Sequence, residues 1–305
     1  MRQEDFKLYV DKAMADADMA ALRPVVEKEL LHYEIFNALD EEDLLKNLVF
    51  QGGTSLRLCR GAERFSEDLD FAGGKDFSAE SMKKVKACLI KHIGERFGLE
   101  VTVREPKHSP NNALVNVTKW MVSIETNPGT PDIPRQKIKI DIANVPAYTR
   151  EPIPLRLNYS VLEGMSSPIV ITESIDEILA DKLIALPASM AKLGEVKLTP
   201  TPSKIRYRDV WDIAWIVRQG AQLRLDLIHN KILDYGLKHY EDLLMHAIQT
   251  VSDIATGKAF NEQMQRFLTK SAHERAFKTP GYDLLLAGEV SKLFTEIQLS
   301  NIHDK

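Results

Sequence analysis

Phe50-Gln-Gly-Gly-Thr-Ser-Leu-Arg-Leu-Cys-Arg-Gly-Ala-Glu-Arg-Phe-Ser-Glu-Asp-Leu-Asp-Phe71 is the stretch that decides the reading of this chain. Leu48, Val49 and Phe50 make a short buried strand that runs into Gly52-Gly53. Thr54 to Arg60 fits a short helix, stopped by Gly61, and Asp68 to Ala72 is the next strand. Asp68 and Asp70 alternate with Leu69 and Phe71. On a strand this puts both carboxylates on one face and both apolar side chains on the other. Paired carboxylates at a sheet edge form the oxygen-rich environment that Mg²⁺ favours. Gly52 and Gly53 let backbone come close to a phosphate, and the helix that follows offers N–H groups to an anion. The combination points to phosphoryl or nucleotidyl transfer.

The chain as a whole restricts that reading without deciding it. Its 305 residues suffice for one large or two ordinary domains. An apolar content of 44% and a charged content of 28% are those of a globular protein. The net charge of −4 gives no bulk basic field, so a polyanion must be held by a local patch. Cys59 and Cys88 define neither a disulfide framework nor a thiolate zinc site. The first residues lack an apolar signal core, and no apolar run has membrane-spanning length. A cytoplasmic protein without a membrane partner is expected.

Around the opening stretch the pattern is that of an α+β protein. Leu22, Val26, Leu30 and Ile35 recur at near-helical spacing, with Glu27, Glu29 and Glu34 between them. A helix is predicted over 78–97, with Ser78 as its cap, and a strand over 99–104. Residues 113–125 and 136–145 read as an antiparallel pair joined by turn chemistry at Asn127-Pro-Gly-Thr-Pro-Asp132. The prolines between 146 and 167 suggest an irregular crossing, and 168–172 a last strand. Helices follow at about 175–188, 204–219, 223–235, 239–257, 259–270 and 280–298. The expected organisation is a mixed sheet with flanking helices over 1–170 and a helical domain over 171–305 that closes the active-site cleft.

Three further segments carry candidate chemistry. In Lys137-Ile-Lys-Ile-Asp-Ile142 the isoleucines form a buried face, so Lys139 and Asp141 share the other; if this strand neighbours that of Asp68 and Asp70, three carboxylates meet. In Ile175 to Leu186, Asp181 and Lys182 lie among core positions, and a lysine there can act as a point charge toward a triphosphate. In Arg206-Tyr-Arg-Asp-Val-Trp-Asp212, Asp209 and Asp212 are helical neighbours, and Asp209 is placed to accept from Lys182 or from a substrate hydroxyl, or to orient Arg206 and Arg208. Lys192, Lys197, Lys204, Arg206 and Arg208 form a local basic tract suited to phosphates. No histidine pair has metal-ligand spacing, and neither a nucleophile elbow nor a Walker A loop occurs.

Gly52-Gly-Thr-Ser-Leu56, Arg64-Phe-Ser-Glu-Asp-Leu-Asp-Phe71, the Asp141 strand, Ala180-Asp-Lys-Leu183 and Arg208-Asp-Val-Trp-Asp212 together resemble the AbiEii/MenT-type nucleotidyltransferase toxins of the DNA polymerase β-like superfamily. The resemblance implies a nucleotidyltransferase-like core followed by helices. It also implies a nucleoside triphosphate as substrate, Mg²⁺ as cofactor, the 3′ end of tRNA as acceptor, and a winged-helix-type antitoxin as partner in phage defence. Carried onto this chain, Gly52, Gly53, Thr54, Ser55 and Arg208 would hold the nucleotide. Asp68, Asp70 and Asp141 would bind metal, Lys182 would contact the triphosphate, and Asp209 would be essential. Transfer to a small molecule, and nucleotide binding without catalysis, are the alternatives left open at this level.

Overall fold

The structure, a computed structural model, describes residues 5–15, 17–106, 115–129, 134–190 and 205–300. The chain divides into two compact units, Met1–Glu173 and Ser174–Lys305.

The first unit contains helices α1 (Phe6–Ala13), α2 (Arg23–Glu41), α3 (Gly52–Arg60) and α4 (Val85–Phe97). Its strands are β1 (Val49–Gln51), β2 (Leu69–Ala72), β3 (Val101–Arg104), β4 (Val117–Ile124), β5 (Gln136–Ala143), β6 (Glu151–Pro154) and β7 (Ile169–Thr172). Among the described residues these make one seven-stranded sheet in the order β3-β4-β5-β2-β1-β7-β6. The β2–β5 and β1–β7 pairs are parallel and the others antiparallel. The mixed α+β core is therefore as expected, and the sheet brings β2 and β5 side by side although 63 residues lie between Ala72 and Gln136.

One face of the sheet is dry. Ile138, Ile140 and Ile142 of β5 are fully buried, as are Val122 and Ile124 of β4. Phe50 and Phe71 pack edge-on against Phe36 of α2, with ring centroids 4.9 and 6.0 Å away. The carboxylates of α2 are the exception to a simple amphipathic reading. Glu27, Glu29 and Glu34 are all buried, and each has a basic partner: Arg23, Arg57 and Arg96 respectively. Buried carboxylates are tolerated only when so paired.

Three local expectations change. The helix expected over 78–97 begins as a 3₁₀ turn at Ala79–Met82, and only Val85–Phe97 is α-helical; the Ser78 side chain caps neither. The crossing expected to be irregular contains β6, whose Pro152 and Pro154 sit on the outermost strand. A missing N–H costs nothing there if it faces outward. The first glycine of the Gly-Gly pair already belongs to α3, which starts before Thr54.

The second unit is helical throughout its described part: α5 (Ile175–Met190), α6 (Tyr207–Arg218), α7 (Leu225–Tyr235), α8 (Tyr240–Thr256), α9 (Lys258–Gln265), α10 (Lys270–Phe277) and α11 (Tyr282–Leu299). The α5 helix packs on α6, α7 and α8, and α11 on α6 and α8. Between the expected helices over 259–270 and 280–298 lies α10, which buries only Ala272 and Ala276 and so leaves little apolar periodicity to read. No helix among the described residues is long and apolar enough to cross a membrane.

Candidate active site

In the first unit, strand register assembles the site. Gln51 of β1 is opposite Asp70 of β2, Asp70 is opposite Asp141 of β5, and Asp141 is opposite Lys119 of β4. Opposed residues share a face, so these four side chains form one row on the side of the sheet away from the isoleucine core. Asp68, two residues before Asp70, belongs to the same face. Its Oδ2 accepts from Lys139 Nζ at 3.1 Å, and Lys119 Nζ donates to Asp141 Oδ2 at 3.2 Å. Burial alone would lower the pKa of the Lys139 ammonium, but the charge and hydrogen bond of Asp68 reverse this and leave it raised.

The Gly-Gly turn is built around Asp70. Gly52 has φ +76°, a left-handed conformation that L side chains rarely adopt, and a β-carbon there would stand 3.0 Å from Asp70 Oδ2. Glycine thus permits both the turn into α3 and the approach of the backbone to the carboxylate. The side chains of Thr54 and Ser55 are turned inward. Thr54 is buried and donates to the carbonyl of Asp68, tying α3 to the start of β2. Ser55 is fully enclosed. The half-exposed backbone of Gly52 and Gly53 is the accessible part of this turn.

The donor set fits a hard divalent cation by its chemistry: carboxylate oxygens of Asp68, Asp70 and Asp141, plus the amide oxygen of Gln51. Asp141 Oδ1 and Gln51 Oε1 are buried oxygens with no hydrogen-bond partner among the described residues. Buried oxygens in need of a partner and a glycine cradle at Asp70 are what such an ion requires. Among the described residues no three His, Cys, Asp or Glu side chains are gathered into a ready-made cluster; lysines instead lie against Asp68 and Asp141. Gln51 and Lys119 were not singled out in the sequence, since nothing in an isolated strand shows which residue will stand opposite it.

In the second unit, Lys182 of α5 is 4% exposed and donates to Asp209 Oδ1 and Asp212 Oδ2 of α6, both at 2.8 Å. Arg206 also donates to Asp209. Burial raises the pKa of the Asp209 carboxyl, but Arg206 and Lys182 more than offset it and hold the group below the usual range. Of the interactions open to Asp209, the structure thus has those with Lys182 and Arg206. The Arg208 guanidinium lies over the Phe267 ring, 4.7 Å from its centroid. Asp181, next to Lys182, accepts from Lys231 at 3.1 Å, and fully buried Lys231 also reaches Glu177 at 2.8 Å. Lys192, Lys197 and Lys204 of the basic tract lie outside the described residues.

The first unit thus presents a mixed sheet that lines up acidic residues of two parallel strands beside a Gly-Gly turn into a helix. The chain belongs to the AbiEii family of nucleotidyl transferase toxins of type IV toxin–antitoxin systems, whose family model matches residues 34–286. Its fold is similar to that of MenT4, a nucleotidyltransferase toxin from Mycobacterium tuberculosis, with 16% identity, coverage of 97% of this chain and 99% of that one, and a TM-score of 0.50. JHP933 from Helicobacter pylori matches with 17% identity over 90% of this chain and 93% of its own, with a TM-score of 0.49. No curated protein matches the chain.

Proposed function

We propose that this toxin transfers a nucleoside monophosphate from a nucleoside triphosphate to an RNA hydroxyl, with the 3′ end of tRNA as the acceptor and Mg²⁺ as the cofactor. The observation that carries the reading is the register-aligned Gln51–Asp70–Asp141 row beside the Gly52 turn. Asp68 and Asp70 would hold the metal and Asp141 would complete its donor set or take up the acceptor's proton. When bound, the metal supplies charge neutralisation at the triphosphate. The backbone at Gly52 and Gly53 accommodates phosphate oxygens at the start of α3. The acceptor oxygen forms a bond to the α-phosphorus, the bond from that phosphorus to pyrophosphate breaks, and the acceptor's proton goes to a carboxylate of the row. Catalysis of this kind rests on positioning and on charge placed in advance.

Lys182, Asp209 and Arg208 are assigned to the same reaction as supports for nucleotide handling, a role for which the buried Lys182–Asp209–Asp212 cluster is the relevant observation. The family's type IV systems include an antitoxin, and we assign a winged-helix-type protein to that place, in a cytoplasmic phage-defence setting. The deciding experiment incubates the protein with each α-labelled nucleoside triphosphate, Mg²⁺ and total tRNA. Label in tRNA, absent with Asp70→Asn, is the expected result. Label in small metabolites alone would replace the RNA acceptor with a small molecule, and no pyrophosphate release would remove the transfer reaction.

A further inference from the structure

The outer half of the sheet's wet face is basic and leads to the carboxylate row. Arg104 of β3 is opposite Met121 of β4, which is opposite Lys139 of β5; Ser123 is opposite Lys137, and Lys119 is opposite Asp141. By alternation Arg104, Lys119, Lys137 and Lys139 therefore share one face. All four are exposed, while Val103, Trp120, Val122, Ile138 and Ile140 between them are buried on the other side. Lys119 and Lys139 reach back to Asp141 and Asp68. Arg104 and Lys137 have no acidic partner among the described residues. The patch ends at its far side on Arg135, which is already neutralised by Glu100 and Glu125.

Lys119 and Lys139 answer Asp141 and Asp68, so the unbalanced positive charge of this face is that of Arg104 and Lys137, a local positive surface in a chain of net charge −4. Lys137 and Lys139 stand about 6.8 Å apart along their strand, and neighbouring strands about 4.8 Å apart, so the charges form a track rather than a point. The occupant that matches is a linear polyanion. Among the described residues this face offers no aromatic ring on which bases could stack, so the contact is to phosphates and is tolerant of sequence.

We infer that the open face of β3, β4 and β5 is the docking track for the acceptor RNA strand, holding its backbone through Arg104, Lys119, Lys137 and Lys139 while its terminal hydroxyl lies at the Asp70–Asp141 row. This inference rests on the nucleotidyl-transfer reading. It adds the surface that recognises the acceptor, in which Arg104 and Lys137 lie outside the carboxylate row and its lysine partners.

The test measures binding of a fluorescein-labelled single-stranded RNA to the full chain by anisotropy over a range of salt concentrations. Nucleotide binding is measured in parallel by displacement of a fluorescent triphosphate analogue. Arg104→Glu with Lys137→Glu is the variant, because neither residue touches the carboxylates and both side chains are exposed, which leaves the fold intact. The expected result is an RNA affinity reduced tenfold or more. Its salt slope falls by about 1.4, for two lost phosphate contacts at about 0.7 each on a single strand. Nucleotide affinity is expected to be unchanged. Unaltered RNA affinity and slope in the variant would overturn the track and leave the transfer reading in place. Wild-type protein that binds the triphosphate and labels a small hydroxyl compound but not RNA would also overturn it. Absence of nucleotide binding by the wild type would overturn both.

Discussion

Asp70 and Asp141 are register partners on the adjacent parallel strands β2 and β5, and their carboxylates lie on the same face of the sheet. Their environments differ. A β-carbon at Gly52 would stand 3.0 Å from Asp70 Oδ2, whereas Asp141 Oδ2 is held by Lys119 and its Oδ1 is buried without a partner among the described residues. Asp70→Asn keeps the shape and removes the charge. It is expected to lower transfer by about a hundredfold or more with little change in melting temperature. Asp141→Asn is expected to lower transfer as well. Steady-state transfer assays and thermal melts on both variants check this, and full activity in Asp70→Asn would remove the assignment.

Gly52→Ala tests the turn instead of the carboxylate. The left-handed φ of +76° costs a β-carbon roughly 1–2 kcal/mol, and the added methyl meets Asp70 Oδ2 at 3.0 Å. The expected outcome is a modest loss of stability in urea titration together with a loss of transfer much larger than the stability change explains. Gly74, also at positive φ but with nothing within 4 Å of an added β-carbon, is the control: Gly74→Ala has the backbone cost without the effect on transfer.

The legible and illegible parts of this chain separate along a physical line. Alternation within a strand is local, so Asp68, Asp70 and Asp141 were identifiable as residues on wet faces. Which strand lies beside which is not local. The neighbourhood of β2 and β5, and with it the row that includes Gln51 and Lys119, depends on a sheet order that no single segment encodes. Burial of Glu29 and Glu34 inside α2 was hidden for a related reason, because their partners Arg57 and Arg96 come from α3 and α4. The β6 strand was obscured by prolines that only an edge position tolerates, and α10 by a surface with almost no apolar stripe. The inward aim of the Thr54 and Ser55 side chains was also illegible, since a place beside glycines does not say which way a hydroxyl points.

The histidines make opposite contributions to stability across pH. His92 donates through Nε2 to Glu34 and also faces Glu41; the hydrogen bond to Glu34 is the main reason its pKa is raised above 6.5. Its contribution is complete below the unfolded value of 6.5 and is lost as pH rises through the higher folded value. His32 is enclosed, and burial holds its imidazole down at about 4, so the folded protein keeps it neutral while the unfolded chain takes a proton. That contribution is lost as pH falls from about 6.5 toward 4. The expected profile of urea midpoint against pH therefore declines on both sides of neutrality. His92→Gln should flatten the alkaline side only. A variant that changes the acidic side instead would show that the Glu34 pair does not set this dependence.

Lys182 provides the sharpest division between a structural and a chemical role. Its side chain is 5% exposed, and both Asp209 and Asp212, at 5% and 3%, depend on its charge. Lys182→Met removes the ammonium that lies between two buried carboxylates, and removing one partner of a buried ion cluster costs about 3–5 kcal/mol. The expected outcome is a large fall in the urea midpoint. Exchanging Asp212 for Asn keeps a hydrogen-bond acceptor for Lys182 and leaves Asp209 as counter-ion, so it should cost much less. If Asp212→Asn is as active as wild type and Asp209→Asn is folded but inactive, the cluster has a chemical role centred on Asp209 in addition to its structural one. If both asparagine variants transfer at wild-type rates, Lys182 and its carboxylates hold α5 against α6 and take no part in the reaction.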